Sequence, residues 1–306
     1  MSFLALLVCL LAQHAYPVAV RRRLAAFYGR MCLSVAKRLD AGDRNSGVLA
    51  WLVLVGLIVV PVALVTALAA RIHPVVVWLL DIAVLYATLA FLPTVRTLAT
   101  IETALREEGA AQAANLLSQW QGEAVESEDA NDVARLAAEQ ALREAHYGTF
   151  GPLFWFLLLP GPIGLVLYPL ALRAARMWER PAESEGRDFG WFAARAFHVL
   201  DWIPQRLSAF AFAVVGNFED ALYCWRMQSA AWLRPEEGIV LASGAGALGV
   251  RLGDPVRAGG SVMARPALGT GEVAREDALA SLEGLLWRAL ALWLIVFALA
   301  AALHGA

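Results

Sequence analysis

The residues of this sequence that could do chemistry lie in two blocks of its second half. The first block, residues 197–207, places Asp201 among aromatic and basic side chains that include His198 and Arg206. Such clusters beside an apolar segment are often ligand sites or interfacial anchors of membrane proteins. A structural role is equally open, because Asp201 lies three residues before Pro204, a spacing typical of a residue that caps a helix start.

The second block is rich in glycine and reads SGAGALGVRLGDP from position 243 to position 255. It contains neither GxxxxGK[ST] nor GxGxxG, so it matches neither nucleotide-binding fingerprint. The spacings of three and four predict that Gly246, Gly249 and Gly253 share one helical face, where small residues let a helix or a ligand approach the backbone. Arg251 is suited to pair with a carboxylate or a phosphate. Helix packing alone is the alternative role of the three glycines.

Other catalytic and metal-binding patterns do not emerge from the sequence. The five histidines and three cysteines show no HExxH, CxxC or zinc-type spacing, so no metal site is predicted and the cysteines are expected to be small apolar residues of helices. The acidic residues between positions 123 and 132 lack the spacing of an EF-hand loop and indicate a solvated loop. No Ser-His-Asp, Cys-His or paired-carboxylate arrangement stands out, so the catalytic residues stay unassigned.

The composition indicates what kind of elements must position these blocks. Hydrophobic residues make up 59% of the 306 positions and charged residues 17%, whereas a soluble domain has roughly 45–50% and about 25%. The mean hydropathy is +0.58. A net charge of −2 argues against nucleic acid as a partner. The chain is therefore predicted to be all-α, a polytopic helical integral membrane protein in contact with the lipid bilayer.

Runs without charge predict the membrane segments of a single membrane domain over residues 1–306. Roughly 20 apolar residues cross the hydrocarbon core as a helix, and on that basis about four or five segments are expected. They are an anchor at 2–20 that either spans or lies in the interface, a hairpin of 47–70 and 72–95, a segment at 150–172, and a C-terminal span at 286–303. The sequence Pro160-Gly161-Pro162 makes 150–172 either kinked or re-entrant.

Asp81 is a carboxylate inside the second predicted span. An ionisable residue at such a depth is a functional candidate by default. The alternative is a protonated or hydrogen-bonded side chain that faces a neighbouring helix. The sequence offers no second intramembrane charge to pair with it.

The remaining segments are predicted to lie outside the hydrocarbon core. Residues 96–149 hold ten acidic and four basic residues, and their apolar periodicity predicts a soluble insert of two or three amphipathic helices. Residues 173–285 are predicted as loops that carry the two blocks, glycine-rich towards the C-terminus, with a short core or interfacial helix at 207–218. The basic loop at 21–47 is predicted to be cytoplasmic.

Three sequence blocks in order resemble the CobD/CbiB family, membrane proteins of cobalamin biosynthesis, mainly over residues 150–270. In the first block, GPLF followed by Pro162 and Tyr168 resembles the family's APLF…G-P…Y. In the second, DWIPQRL at 201–207 resembles NWIPARL. In the third, AGALGVRLGDP at 245–255 resembles AGALGVRLGGP, and the Arg265-Pro266 and Gly269 that follow resemble the family's KPxLG. The resemblance implies a multi-pass protein of the inner membrane. It also implies the family's reaction, in which aminopropanol or its phosphate is attached to adenosylcobyric acid through an amide.

The resemblance implies a corrinoid substrate, and other membrane or pathway proteins as further partners. It implies ATP and magnesium as cofactors if the family activity is retained. The arginines would contact a phosphate or a corrin carboxylate, and Asp201 a cation or an amine. The candidate substrate contacts are Arg195, Asp201, Arg206, Gly246, Gly249, Arg251 and Gly253.

The chain departs from the family pattern where the family has carboxylates and amides. The paired aspartates of the family's RLDDVLNW are replaced by Phe197 and His198, and its asparagine by Asp201. Because of these departures, a degenerate active site is one of the alternatives. A second resemblance, of PLFWF…HVLDWIPQRL…VVGNFEDAL to the AmpE-type inner-membrane protein linked to β-lactamase induction, implies a non-catalytic sensor or signalling protein instead.

Overall fold

The chain forms two compact units, each assembled from segments that are distant in sequence. The computed structural model describes residues 2–15, 20–127, 129–179, 188–258 and 261–305. The first unit contains residues 1–89, 148–203 and 297–306, and the second contains residues 90–147 and 204–296. The described residues are predominantly helical, so the all-α prediction is confirmed.

The elements are helices of 8 to 30 residues with a small amount of strand. In chain order, the α-helices of the described residues are α1 (Ser2–Ala15), α2 (Val20–Leu39), α3 (Arg44–Ile72), α4 (Pro74–Thr88), α5 (Phe91–Glu107), α6 (Ala110–Gln121), α7 (Ala130–Ala145), α8 (Gly151–Leu158), α9 (Ile163–Trp178), α10 (Trp191–Val215), α11 (Phe218–Gln228), α12 (Pro235–Leu248) and α13 (Glu276–Gly305). A π-helical turn, His146–Phe150, joins α7 to α8. Strand β1 (Arg251–Leu252) pairs antiparallel with β4 (Leu268–Gly269), and β2 (Val256–Ala258) with β3 (Ser261–Met263).

Helices α3 and α4 lie where the sequence predicts the hairpin of 47–70 and 72–95, and they turn at a single residue. Helix α3 starts at the N-cap Asp43, whose carboxylate accepts the Ser46 backbone N–H at 3.3 Å. Hydrogen bonds from Ser46 lower the pKa of the Asp43 carboxyl. His73 ends α3 and also caps α4, because its Nδ1 accepts the backbone N–H of Val75 at 3.2 Å. Helices of 29 and 15 residues are thereby joined with one residue between them.

Three helical stretches of the described residues are long and apolar enough to cross a membrane. They are Arg44–Ile72, Pro74–Glu107 and Glu276–Ala300. They cover the predicted span 47–70 and most of the predicted spans 72–95 and 286–303. The second stretch is divided, because α4 ends at Thr88 and α5 begins at Phe91. On α3, Leu52, Leu57 and Leu64 are each more than half exposed. An extended apolar surface of this kind is typical of contact with lipid.

Two further membrane predictions fall on shorter helices. The anchor predicted at 2–20 contains α1, while residues 16–19 lie outside the described part of the chain. The break predicted within 150–172 is present: α8 and α9 have 8 and 16 residues and are separated by a turn in which Gly161 has φ of 61°. A φ in that region suits glycine, which has no Cβ to clash. Each arm is shorter than the roughly 20 residues of a full span.

The core of the first unit contains small and aromatic side chains of α2, α3 and α9. Trp178 Nε1 donates to the carbonyl oxygen of Cys32 at 3.2 Å. Burial raises the pKa of the Cys32 thiol to about 11, so this thiol stays protonated at neutral pH. Cys9, Cys32 and Cys224 are all buried and unpaired with each other, as expected of small apolar residues.

Helices replace most of the predicted loops in the second half of the chain. The prediction of motif loops at 173–285 is wrong for α10, α11 and α12, and the short helix predicted at 207–218 is the C-terminal part of α10. Residues 180–187 of the predicted loops lie outside the described residues. The predicted insert, 96–149, contains the end of α5 together with α6 and α7, which confirms its helical character.

The glycines of α12 explain why this sequence packs as a helix. A Cβ at Gly246 would lie 2.5 Å from the backbone oxygen of Asp220 in α11, and a Cβ at Gly244 would lie 2.6 Å from a methyl carbon of Leu142 in α7. Ser243 Oγ donates to the carbonyl oxygen of Ala209 at 2.7 Å. Small residues thus let α12 approach its neighbours in the second unit closely.

Substitution of Gly246 by alanine should destabilise the second unit. The new methyl group meets backbone rather than a flexible side chain, so we expect a loss of about 1–3 kcal/mol and a fall of several degrees in the melting temperature in detergent. Gly284→Ala is the matched control, because a Cβ at this helical position has no heavy atom within 4 Å. The control should be unchanged or slightly more stable. Equal melting temperatures of the two variants would contradict this packing.

Candidate functional site

The glycine-rich block is a helix end followed by a tight loop. Helix α12 stops at Leu248, and Gly249 caps it in the left-handed conformation with φ of 69°. The predicted common helical face of Gly246, Gly249 and Gly253 is therefore wrong, because the helix ends before the second of them. A left-handed glycine after the last helical residue is a common way to stop a helix.

The loop after α12 folds against a neighbouring segment of the second unit. Gly253 has φ of 78°, and a Cβ there would lie 2.1 Å from the backbone oxygen of Pro266. The next residue, Asp254, has φ of 62° although it is not a glycine. A non-glycine residue in this region costs roughly 1 kcal/mol or more and persists where surrounding contacts fix it.

Those contacts come from Glu139, which lies at the centre of the site. Its side chain is 0% exposed. Oε1 accepts the backbone N–H of Gly253 at 3.0 Å. The guanidinium of Arg265 donates from Nη1 to Oε2 at 2.8 Å and from Nη2 to Oε1 at 3.2 Å. A bidentate, charge-assisted pair of this kind is among the stronger hydrogen-bonded contacts in proteins.

The buried Arg135 completes the network. We call this network the Glu139 clamp: Glu139, Arg265, Arg135 and the backbone of residues 253–255. Arg135 Nη2 donates to Asp132 Oδ1 at 2.7 Å, and its Nη1 donates to the carbonyl oxygen of Asp254 at 3.2 Å. Arg265 also donates from Nε to that same carbonyl oxygen at 3.1 Å. The clamp therefore pairs its buried charges and satisfies the backbone of the strained turn.

Arg251 is an exposed basic residue of this loop, two positions before the clamped backbone of Gly253. Its backbone is held in place, since its N–H donates to the carbonyl oxygen of Glu272 at 2.7 Å and its own carbonyl accepts from Ala274 at 3.1 Å. Its side chain is 45% exposed, with Nε 3.0 Å from Asp254 Oδ2. A guanidinium on a rigid backbone with exposed donors is suited to bind a carboxylate or a phosphate.

Gln228 holds the other side of this loop region. Its Oε1 accepts the backbone N–H of Gly269 at 2.6 Å, and its Nε2 donates to the Gly269 carbonyl oxygen at 3.1 Å. The side-chain amide thus pairs with a backbone peptide group as a neighbouring strand would. Gly269 belongs to β4, which pairs with the strand that contains Arg251.

The first sequence block has a different environment in the first unit. Asp201 is buried within α10, so its predicted role as a helix cap is wrong: the helix starts at Trp191 and contains Pro204 in its interior. Tyr168 Oη donates to Asp201 Oδ1 at 2.6 Å. A Cβ at Gly151 would lie 2.3 Å from Tyr168 Cζ, so only glycine leaves room for that ring.

The predicted contacts therefore divide into groups. Gly249, Arg251 and Gly253 lie in one loop, while Gly246 is buried against the backbone of α11. Arg195 is exposed and Asp201 is buried, so these two side chains do not share a surface. Arg206 is half-buried on the part of α10 that belongs to the second unit.

Sequence reasoning missed the residues that build the loop: Arg135, Glu139, Gln228 and Arg265. Arg135 and Glu139 are spaced i, i+4 in a region read as a solvated insert, yet both point to the buried side of α7 with Leu142. Their burial could have been predicted from their positions, because both residues share one face of the helix with its apolar residues. Arg265 was noticed through the family resemblance, without its partner.

The carboxylates around the loop do not fit a bound magnesium ion. Magnesium prefers carboxylate oxygens with free coordination positions, whereas both Glu139 oxygens accept from Arg265 and Asp132 and Asp254 pair with arginines. Within the described part of the chain, no three His, Cys, Asp or Glu residues converge as a metal-ligand group.

Replacement of Glu139 by glutamine should destabilise the second unit. Glutamine keeps an acceptor for Gly253 but leaves the guanidinium of Arg265, only 13% exposed, without its counter-charge. We therefore expect a loss of about 3–5 kcal/mol. The measurements are the melting temperature in detergent and the rate of tryptic cleavage after Arg251. Glu272→Gln, the same change in an exposed ion pair, should alter neither. A Glu139→Gln protein with the wild-type melting temperature would refute the clamp.

Replacement of Tyr168 by phenylalanine should destabilise the first unit. The change removes the hydroxyl that donates to the buried Asp201 carboxylate, and we expect a loss of about 1–3 kcal/mol. Thermal unfolding in detergent measures this effect, with the exposed Tyr223→Phe as the control for loss of a tyrosine hydroxyl. If both variants unfold alike, the hydrogen bond contributes nothing to stability.

Comparisons with known proteins agree with the motifs of this site. The family described as CobD/Cbib protein matches residues 3–285. The chain is similar to the "Cobalamin biosynthesis protein CobD" of Stutzerimonas stutzeri (strain A1501), with 34% identity over 285 residues, 93% of this chain and 90% of the relative. A protein of the same name from Chromobacterium violaceum is 39% identical over 178 residues, 58% of this chain and 56% of the relative.

A more distant relative has the second family name. The "Cobalamin biosynthesis protein CbiB" of Salmonella typhi is 26% identical over 293 residues, 92% of this chain and 89% of the relative. No solved structure gives a significant match. None of these relatives is an AmpE protein, so the predicted AmpE alternative gains no support. The match over residues 3–285 and the similarity to CobD along most of both chains show that this chain belongs to the CobD/CbiB family.

Proposed function

We propose that this protein is a multi-pass component of the inner membrane that acts in cobalamin biosynthesis. The proposed reaction is that of adenosylcobinamide-phosphate synthase: an amide joins aminopropanol, or its phosphate, to adenosylcobyric acid. The observation that carries this proposal is the loop of the AGALGVRLGDP block. The Glu139 clamp holds the loop from its buried side, and Arg251 of the loop is exposed.

The chemistry of the loop agrees with an anionic substrate. Adenosylcobyric acid carries a carboxyl group, and aminopropanol phosphate, where it is the second substrate, carries a phosphate. Arg251 presents a guanidinium that is 45% exposed on a fixed backbone, and guanidinium groups recognise both kinds of anion. We assign Arg251 as a substrate contact, with Arg206 as a second candidate.

In this proposal Asp201 does not bind the amine, although the family resemblance implies that role. Its carboxylate is buried and accepts the Tyr168 hydroxyl at 2.6 Å. We therefore propose that Asp201 is a positioning residue, which fixes α9 against the first half of α10. Lipid and corrinoid are the proposed partners, and other membrane or pathway proteins stay a prediction.

Genetic complementation tests the proposed reaction. The chain is expressed in a bacterial strain that lacks its own CobD/CbiB protein, and growth that depends on a corrinoid is measured. We expect growth to return and the amide product to be detected by mass spectrometry. A correctly inserted protein that restores neither growth nor product would overturn the proposal and would indicate a chain that has lost the family reaction.

The loop is tested in the same strain by Arg251→Ala. Loss of a charge-assisted hydrogen bond to an anion removes about 1.5–3 kcal/mol of binding, so we expect the yield of amide product to fall by roughly 10–100-fold. Arg275→Ala is the matched control, because Arg275 is an exposed arginine of the same region that pairs with Glu272. The assignment of Arg251 fails if the two variants give the same yield.

A further inference from the structure

Helix α2 carries a group of basic side chains that the proposed function does not use. The helix contains 20 residues, which include six lysines and arginines and no acidic residue. Five of these basic side chains are exposed, and none of the five forms an ion pair with a described residue. Because of their spacing they share one side of the helix, which we call the basic face of α2. The basic face consists of Arg22, Arg23, Arg30, Lys37 and Arg38.

Packing of the opposite side of α2 fixes the direction in which the basic face points. That opposite side places Tyr28, Cys32 and Val35 in the core of the first unit, together with buried side chains of α3 and α9. The basic face therefore points away from this core. Two large apolar side chains lie among the basic ones, because Phe27 is 42% exposed and Leu33 is 51% exposed.

Helix α2 is connected at both of its ends to the same end of the α3–α4 hairpin. Before α2, the Gln13 side chain of α1 donates to the carbonyl oxygens of Tyr86 at 3.1 Å and Leu89 at 3.3 Å, where α4 ends. After α2, helix α3 begins at its N-cap Asp43. The beginning of α3 and the end of α4 both lie away from the turn at His73, because the two helices pack against each other from that turn. We infer that α2, about 30 Å long, runs across this end of the hairpin and not through the bilayer beside it.

The headgroup layer of the bilayer is the anionic surface that fits such a helix. Helix α3, against which α2 packs, is one of the stretches long and apolar enough to cross a membrane. A helix with basic and apolar side chains on its outer side binds at the membrane interface through apolar burial and through attraction to anionic lipids. Arginine and lysine side chains are long enough to reach the headgroups while Phe27 and Leu33 enter the acyl boundary. The attraction increases with each basic residue near the surface.

We propose that α2 is an interfacial helix whose basic face binds the headgroups of anionic phospholipids. Its arginines contact the phosphate groups, and Phe27 and Leu33 contact the adjoining acyl chains. The bound lipid stabilises the first unit, because α2 contributes to the core of that unit from its other side. The basic face is separate from the Arg251 loop, so this proposal stands or falls independently of the proposed reaction.

The experiment is thermal unfolding of the full-length protein in a non-ionic detergent. Phosphatidylglycerol is added stepwise in one arm, and phosphatidylcholine with the same acyl chains in the other. A ligand that binds the folded state raises the melting temperature, and with phosphatidylglycerol in about hundredfold excess over its Kd we expect a rise of about 5 °C. Phosphatidylcholine should give a much smaller rise. Sodium chloride at about 0.5 M should reduce the effect of phosphatidylglycerol, because salt screens exposed charges.

A triple variant, Arg22→Gln with Arg23→Gln and Arg30→Gln, tests the basic face itself. It should require roughly 10–100-fold more phosphatidylglycerol for the same rise. The matched control removes the same charge from three exposed arginines of the second unit, Arg106, Arg226 and Arg275, and should respond like the wild type.

Three results would overturn the proposal. They are equal responses of the wild type to the two lipids, an unchanged response of the triple variant, and no response of the wild type to phosphatidylglycerol. The last result would leave an acidic protein as the partner of the basic face. If the triple variant does not fold, Lys37→Gln with Arg38→Gln decides the matter. This double variant should need several-fold more phosphatidylglycerol, and a wild-type response would refute the interfacial role of α2.

Discussion

The bidentate pair between Glu139 and Arg265 is the interaction on which the exposed chemistry of this protein depends. A carboxylate and a guanidinium are both removed from water, and their desolvation is offset because nearly every polar atom of the pair has a partner. The same carboxylate accepts the backbone N–H of Gly253 at 3.0 Å. One buried charge therefore ties a helix of the insert to the turn that presents Arg251. The loop gains the rigidity of a core element while the side chain of Arg251 stays exposed.

Three glycines that look alike in the sequence do three different things in the structure. Gly246 brings α12 within van der Waals reach of the α11 backbone, Gly249 stops the helix, and Gly253 adopts φ of 78° beneath Pro266. An interpretation by spacing alone treats them as one helical face. The difference is set by where the helix ends, and the helix ends where a left-handed residue costs little.

The sequence predicted the membrane helices well and the buried charges poorly, for one physical reason. Long runs such as α3 are visible because apolar residues must exclude water over a length fixed by the bilayer. The burial of Glu139 was not predicted, because a charged residue normally lies in contact with solvent. Its partner Arg265 lies 126 residues away in the sequence, so their pairing could not be predicted either. Helix α10 was predicted only in part, because Asp201 and Gln205 interrupt its apolar run. Both of these side chains are buried, while Val199 and Ile203 are exposed.

The single-residue turn at His73 has a consequence for how the chain enters the bilayer. An aspartate at the centre of a lone helix opposes partition into the membrane by about 2.5–3.5 kcal/mol. Because α3 and α4 are joined by one residue, α4 can partition together with a helix of 29 residues that carries no acidic side chain. The favourable partition of α3 into the membrane thus compensates for the less favourable partition of α4 during biosynthesis. A longer connection would separate the insertion of α3 from that of α4. The topology of α4 would then depend on the sequence of α4 alone.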